Sequence, residues 1–174
     1  MGSRIDHYSH YAFPVATVHA ALVDENYWRT RLAEIGGPGA TLEDVRIGDG
    51  TIDLHMTQSI PAEHLPSFVT NFHPGDLVIH RHESWQPLSG DRATGSFSAH
   101  VDGLPGKVDG TSTMAPDGSG TIVEIDGTAE VRIPFLGGKI EGIIVEQIVE
   151  LFDVERTFTA QWLSEPHRRL SEPH

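Results

Sequence analysis

The chain has no cysteine, so disulfides, thiol nucleophiles and thiolate metal sites are excluded. It is also poor in positive charge: 12 lysines and arginines stand against 25 aspartates and glutamates, a net −13. Such a surface repels phosphate, which argues against a nucleic-acid partner and against docking on anionic lipid headgroups. Long uncharged apolar runs are missing too. The greasiest window, Ile133 to Phe152, holds Lys139, Glu141, Glu146 and Glu150, which a membrane span does not tolerate well. Met1 to Phe13 carries Arg4, Asp6 and two histidines where a signal peptide has an apolar core. A soluble, cytoplasmic protein is expected.

Catalytic motifs are equally scarce. There is no HExxH helix and no GxSxG elbow. Gly36-Gly37-Pro38-Gly39 follows a helical pattern and leads into a strand, the wrong order for a phosphate loop. The histidines number eleven. His80 and His82 share one strand face and His7 and His10 lie three apart, but neither pair has a third ligand in view. Surface histidines are expected, with no metal site and no cofactor.

What is present is a long amphipathic stretch from Gly138 to about Ser164. Leu136, Ile140, Ile144, Ile148, Leu151, Phe152, Phe158 and Trp162 recur at threes and fours, one apolar stripe of a helix. Glu146, Glu150, Asp153 and Arg156 fall opposite. Gln147 and Glu155 interrupt the stripe with polar groups.

Upstream, Arg4–Phe13 reads as a strand. Pro14 opens a short helix with Val15, Val18, Ala21 and Leu22 on one face. Trp28, Leu32 and Ile35 then mark a second short helix ended by Gly36-Gly37. Ala40–Ile47 and Thr51–Ser59 flank Gly48-Asp49-Gly50, a hairpin signal. Pro61–Pro74 is irregular. Strands follow at Leu77–Gln86, Ala93–Val101, Lys107–Ala115 and Thr121–Ile133, alternating apolar and polar. This pattern predicts an α+β domain with an antiparallel sheet of six to seven strands curled around the last helix. One domain over residues 1–164 is expected. Residues 165–174 read as a disordered tail, because Leu163-Ser-Glu-Pro-His167 returns as Leu170-Ser-Glu-Pro-His174.

In this order the chain resembles the START-like, polyketide-cyclase-like (SRPBCC) superfamily, and within it an uncharacterised bacterial branch. The resemblance rests on Phe13-Pro14 leading into Val18 and Leu22-Val23-Asp24, on the strand end Glu83-Ser84-Trp85, and on Ile133-Pro134 running into the terminal helix. It spans Arg4 to about Leu163. It implies a helix-grip fold with a cavity between sheet and long helix, which relatives use for lipids, sterols, polyketides or hormones. Fold alone does not fix function.

The candidate site residues follow from position. Gln147 and Glu155 would point into the concavity, although Glu155 near the helix end could instead reach solvent. Arg81 and Glu83 share a strand face with Leu77, Ile79 and Trp85, placing a charged pair either inside the cup or at a solvated sheet edge. Trp28, Trp85, Tyr8, Phe97 and Phe68 are candidate wall residues, with Met56 and Ile144 beside them. Gly95, Ala99 and Gly110 are small inward residues that would leave space under the helix. The leading expectation is a binding or carrier protein for a hydrophobic small molecule. The rival is a cofactor-free cyclase, dehydratase or hydrolase using Glu155, Glu83 or Arg81. A third reading is a protein-partner module in which the cavity is incidental.

Overall fold

A computed structural model describes residues 2–37, 39–72 and 74–165. The first strand, β1 (Ser3–Tyr11), is followed by helices α1 (Val15–Leu22) and α2 (Glu25–Ile35). The hairpin β2 (Thr41–Ile47) and β3 (Ile52–Ile60) comes next, then a one-turn 3-10 helix at Ala62–His64 and the short α3 (Ser67–Phe72). Strands β4 (Leu77–Trp85), β5 (Ala93–Val101), β6 (Gly106–Asp117) and β7 (Gly120–Val131) lead to α4 (Gly137–Ser164). The α+β helix-grip expectation holds, and the irregular Pro61–Pro74 stretch contains two short helical turns. The second copy of the tail repeat and the end of the first lie outside the described residues.

The seven strands form one sheet in the order β1-β7-β6-β5-β4-β3-β2, with every neighbouring pair antiparallel. Pro14, at φ −61°, is the N-cap of α1, and Asp24 caps α2 by accepting a bond from the Asn26 amide at 2.9 Å, which satisfies a donor the helix leaves unpaired. These two helices carry the chain from one sheet edge, β1, to the other, β2.

Alternation decides which side each strand turns inward. On β4, Leu77, Arg81 and Trp85 are buried and His82 is exposed, as the sequence pattern predicts. On β1, Ile5, His7 and Ser9 are buried, so Tyr8 points outward and is 49% exposed. Tyr8 therefore forms no part of the inner wall, a correction that follows from strand parity.

Helix α4 leans on β1, β7 and α2. Its last turns bury Phe158, Trp162 and Leu163 with Tyr27, Trp28, Met56 and Trp85 in a solid core at one end of the sheet. Each such side chain contributes about 1.5–3 kcal/mol of burial. Midway along, Ile144, Val145 and Ile148 are only half-buried. There the helix stands off the sheet.

Candidate functional site

The gap under the middle of α4 is a cavity of about 240 Å³. Its floor is Ile79 and Arg81 of β4 with Ala99 and Val101 of β5, and its roof is Ile140, Ile144, Ile148 and Leu151 of α4. Leu65 and Val69, on and just before α3, close one side together with Leu104. Among the described residues, Phe152 supplies the only phenyl ring in the lining. Gln147 and Lys107, both exposed, stand on the rim.

At its inner end the cavity meets a cluster of buried charges. Glu155 on α4 and Arg81 on β4 are each 8% exposed. Arg81 Nη1 donates to Glu155 Oε2 and to Gln58 Oε1, both at 2.8 Å, while its Nη2 donates to Glu83 Oε2 at 2.6 Å. Arg31 of α2 reaches Glu155 Oε1 at 2.5 Å, and its guanidinium lies 4.4 Å from the Trp28 ring centroid. Gln58 Nε2 donates to the Gly36 carbonyl at 3.2 Å. Two arginines face two glutamates, so the formal charges balance.

Burial alone would push the Glu155 carboxyl up, but Arg31 and Arg81 outweigh it and hold the group at about 2. Burial likewise opposes the charge on Arg81, and Glu155 and Glu83 reverse that effect, leaving its pKa raised. A polar chain continues into the aromatic core. The Tyr27 hydroxyl meets Thr159 Oγ1 at 2.5 Å, and Thr159 donates onward to the Glu155 carbonyl at 2.8 Å. The cluster thus forms a partition, with the cavity on one side and the packed rings of Tyr27, Phe158 and Trp162 on the other.

Of the residues singled out by sequence, Arg81, Ile144 and Gln147 line the cavity. Glu83 and Glu155 sit in the ion cluster behind Arg81. Trp28, Met56 and Trp85 belong to the solid core at the far end. Phe97 packs edge-on against Phe152, with ring centroids 6.0 Å apart. Two of the small inward residues make room for rings and not for a ligand. A Cβ on Gly110 would lie 2.7 Å from the Phe97 ring, and one on Gly95 would lie 3.0 Å from the Trp85 ring. Of the three, Ala99 alone opens onto the cavity.

Sequence reasoning missed Arg31. Its signal was present: position 31 falls three after Trp28 and four after Tyr27, on the buried face of α2. Gln58 was legible as the polar member of an otherwise apolar inner face of β3.

A seven-stranded antiparallel sheet gripping a long C-terminal helix over a cavity is the helix-grip architecture of START-like proteins. Solved structures agree. TTHA0849 from Thermus thermophilus superposes with a TM-score of 0.60 at 16% identity, covering 92% of this chain and 97% of that one. Norcoclaurine synthase from Thalictrum flavum gives 0.54 at 16% identity, over 95% and 88% of the two chains. A START superfamily protein from Mycobacterium smegmatis gives 0.51 at 15% identity, over 91% and 97%. At these identities the likeness is one of fold. Residues 6–163 match the family described as "Protein of unknown function (DUF2505)", and the chain belongs to that family. The uncharacterised protein Rv0481c of Mycobacterium tuberculosis is 36% identical over 171 residues, 94% of this chain and 98% of that protein. Among the described residues no helix is long and apolar enough to cross a membrane.

Proposed function

We propose that this protein binds a small hydrophobic molecule between α4 and the sheet. The cavity carries the reading: about 240 Å³ of space walled by aliphatic side chains, with Arg81 and Gln58 at its inner end. Close-packed interiors rarely leave such a gap unfilled. Its volume lies somewhat under the roughly 300–1,000 Å³ usual for drug-sized ligands. That size suits one medium-length acyl chain or a single ring system better than a sterol. An aliphatic wall with one phenyl ring also favours a flexible chain over a flat polycycle that would stack.

The balanced ion cluster offers no surplus charge to an ionised headgroup. A polar headgroup therefore belongs at the rim with Gln147, since the Lys107 ammonium is already paired with Asp109 at 3.4 Å, and the apolar tail lies beneath Ile144 and Ile148. The enzyme alternative needs a carboxyl that can give up a proton near neutral pH. Glu155 instead stays ionised between two arginines, which makes it an ion-pair partner. The carrier reading is the better supported.

Native mass spectrometry of the purified protein, followed by titration with decanoic acid and decanol, tests this. One molecule bound per chain is expected, abolished in Ile144→Trp, whose indole would fill the cavity. Equal binding by wild type and Ile144→Trp would overturn the proposal.

A further inference from the structure

The convex face of the sheet carries a row of histidines. His80 on β4 stands directly opposite His100 on β5, their rings stacked at 15° with centroids 4.8 Å apart. His55 on β3 lies next in the row, 5.9 Å from the His80 ring. Just past the end of β5, Asp102 brings Oδ2 to 3.0 Å from His80 Nε2. The ligand atoms of His80, His100 and Asp102 all lie within 4.8 Å of one another.

We propose that His80, His100 and Asp102 together hold one divalent transition-metal ion of the zinc, nickel or cupric type. Two imidazoles and one carboxylate form a borderline donor set that suits these ions, whereas magnesium and calcium take oxygen ligands. A tetrahedral ion with bonds of about 2.0–2.1 Å keeps its ligand atoms roughly 3.3 Å apart. His80 and Asp102 already meet that spacing. His100 and Asp102 are exposed, so rotamer adjustment at the surface can close the remaining distance without moving the backbone. Water would complete the shell on the solvent side. The neighbouring His82 is engaged elsewhere, with Asp53 Oδ1 at 2.6 Å.

The sequence expectation of no metal rested on His80 and His82 sharing a face without a third ligand. Antiparallel pairing brings the missing ligands from β5 and the residue beyond it. The placement also matters to the cavity. His80 and His100 alternate with Ile79, Arg81, Ala99 and Val101, so an ion on the outer face would clamp the two strands that form the cavity floor.

Isothermal titration of the untagged full chain with zinc chloride, in a non-coordinating buffer, tests the assignment. Saturation at one zinc per chain is expected, with no heat from magnesium chloride. His100→Ala and Asp102→Asn should each weaken zinc binding at least about tenfold, the scale on which even outer-shell partners of metal ligands act. His82→Ala should leave it unchanged. Cobalt absorption in the visible range should appear in wild type and vanish in His100→Ala, and circular dichroism will show that this surface variant keeps its fold. Zinc binding that survives in the His80→Ala, His100→Ala double variant would overturn the assignment, as would a loss seen with His82→Ala and not with His100→Ala.

Discussion

Glu155 is where residue-level chemistry decides most. Taking four charged groups out of water is costly, and their mutual attraction offsets this only if all partners are present. Glu155→Gln leaves Arg31 and Arg81 facing each other with half their compensation gone. At pH 7 this should destabilise the fold by about 3–5 kcal/mol, read from urea denaturation midpoints. The pH dependence has a definite sign. The folded-state value of Glu155 lies below its ordinary 4.5, at about 2. Its contribution, on the order of 3 kcal/mol, is therefore full above about pH 4.5 and lost as pH falls toward 2. The Glu155→Gln variant should lose that part of the acid slope, and an unchanged acid profile would contradict the cluster's role. Phe135 offers an opposite case. Its side chain is fully exposed and its φ is +68°, a left-handed conformation that side chains with a Cβ resist. Phe135→Gly should stabilise the protein by a few tenths to about 1 kcal/mol, whereas Phe135→Ala, which keeps a Cβ, should not. Thermal melts of both variants settle the point.

At the scale of elements, α4 is two helices in function. Its C-terminal half is an ordinary core element, sealed by Phe158, Trp162 and Leu163. Its middle stands clear of β4 and β5 and roofs the cavity. Near its start, Glu141 accepts the Val131 amide at 2.8 Å and the Ser3 hydroxyl at 2.9 Å, pinning the helix to β7 and β1. Gly137 lets this happen, since a Cβ there would lie 2.5 Å from the Val131 carbonyl oxygen. The inner face of the sheet offers a paired test. Gly110 has no room, because a Cβ would run into the Asp126 carbonyl and lie 2.7 Å from the Phe97 ring. Gly110→Ala should destabilise by about 1–3 kcal/mol through overpacking. Ala99 faces the cavity instead, so Ala99→Leu should change stability by less than about 1.5 kcal/mol while blocking decanol uptake. Chemical denaturation of both variants, with decanol titration of the second, compares the two positions directly.

For the whole molecule, the net charge of −13 is the dominant property. Like charges spread over a small surface repel one another and oppose the compact state. Salt screens exposed charges over about 8–10 Å at physiological strength and leaves a buried ion cluster nearly untouched. Raising sodium chloride from low to physiological concentration should therefore raise Tm. A fall in Tm would mean that surface ion pairs such as Arg4–Asp126, at 3.2 Å, outweigh the general repulsion.

The sequence by itself determined the elements and their faces. Period-two alternation fixed which side of β4, β5 and β7 turns inward, and the three-and-four rhythm fixed the stripe of α4, because these periods follow from backbone geometry alone. It also placed Arg81, Glu83, Gln147 and Glu155 on inward or stripe positions. It did not determine what those positions meet. Glu155 could face solvent or a cavity until α2 brought Arg31 within reach. Gly95 and Gly110 looked like open space until the Trp85 and Phe97 rings filled it. His80 had only His82 on its strand face until cross-strand register set His100 beside it. Each of these is a contact between residues distant in the chain, settled by how the sheet pairs and where α4 leans. The long helix therefore reads from sequence as an amphipathic stripe. Only tertiary packing makes one half of it core and the other half a roof.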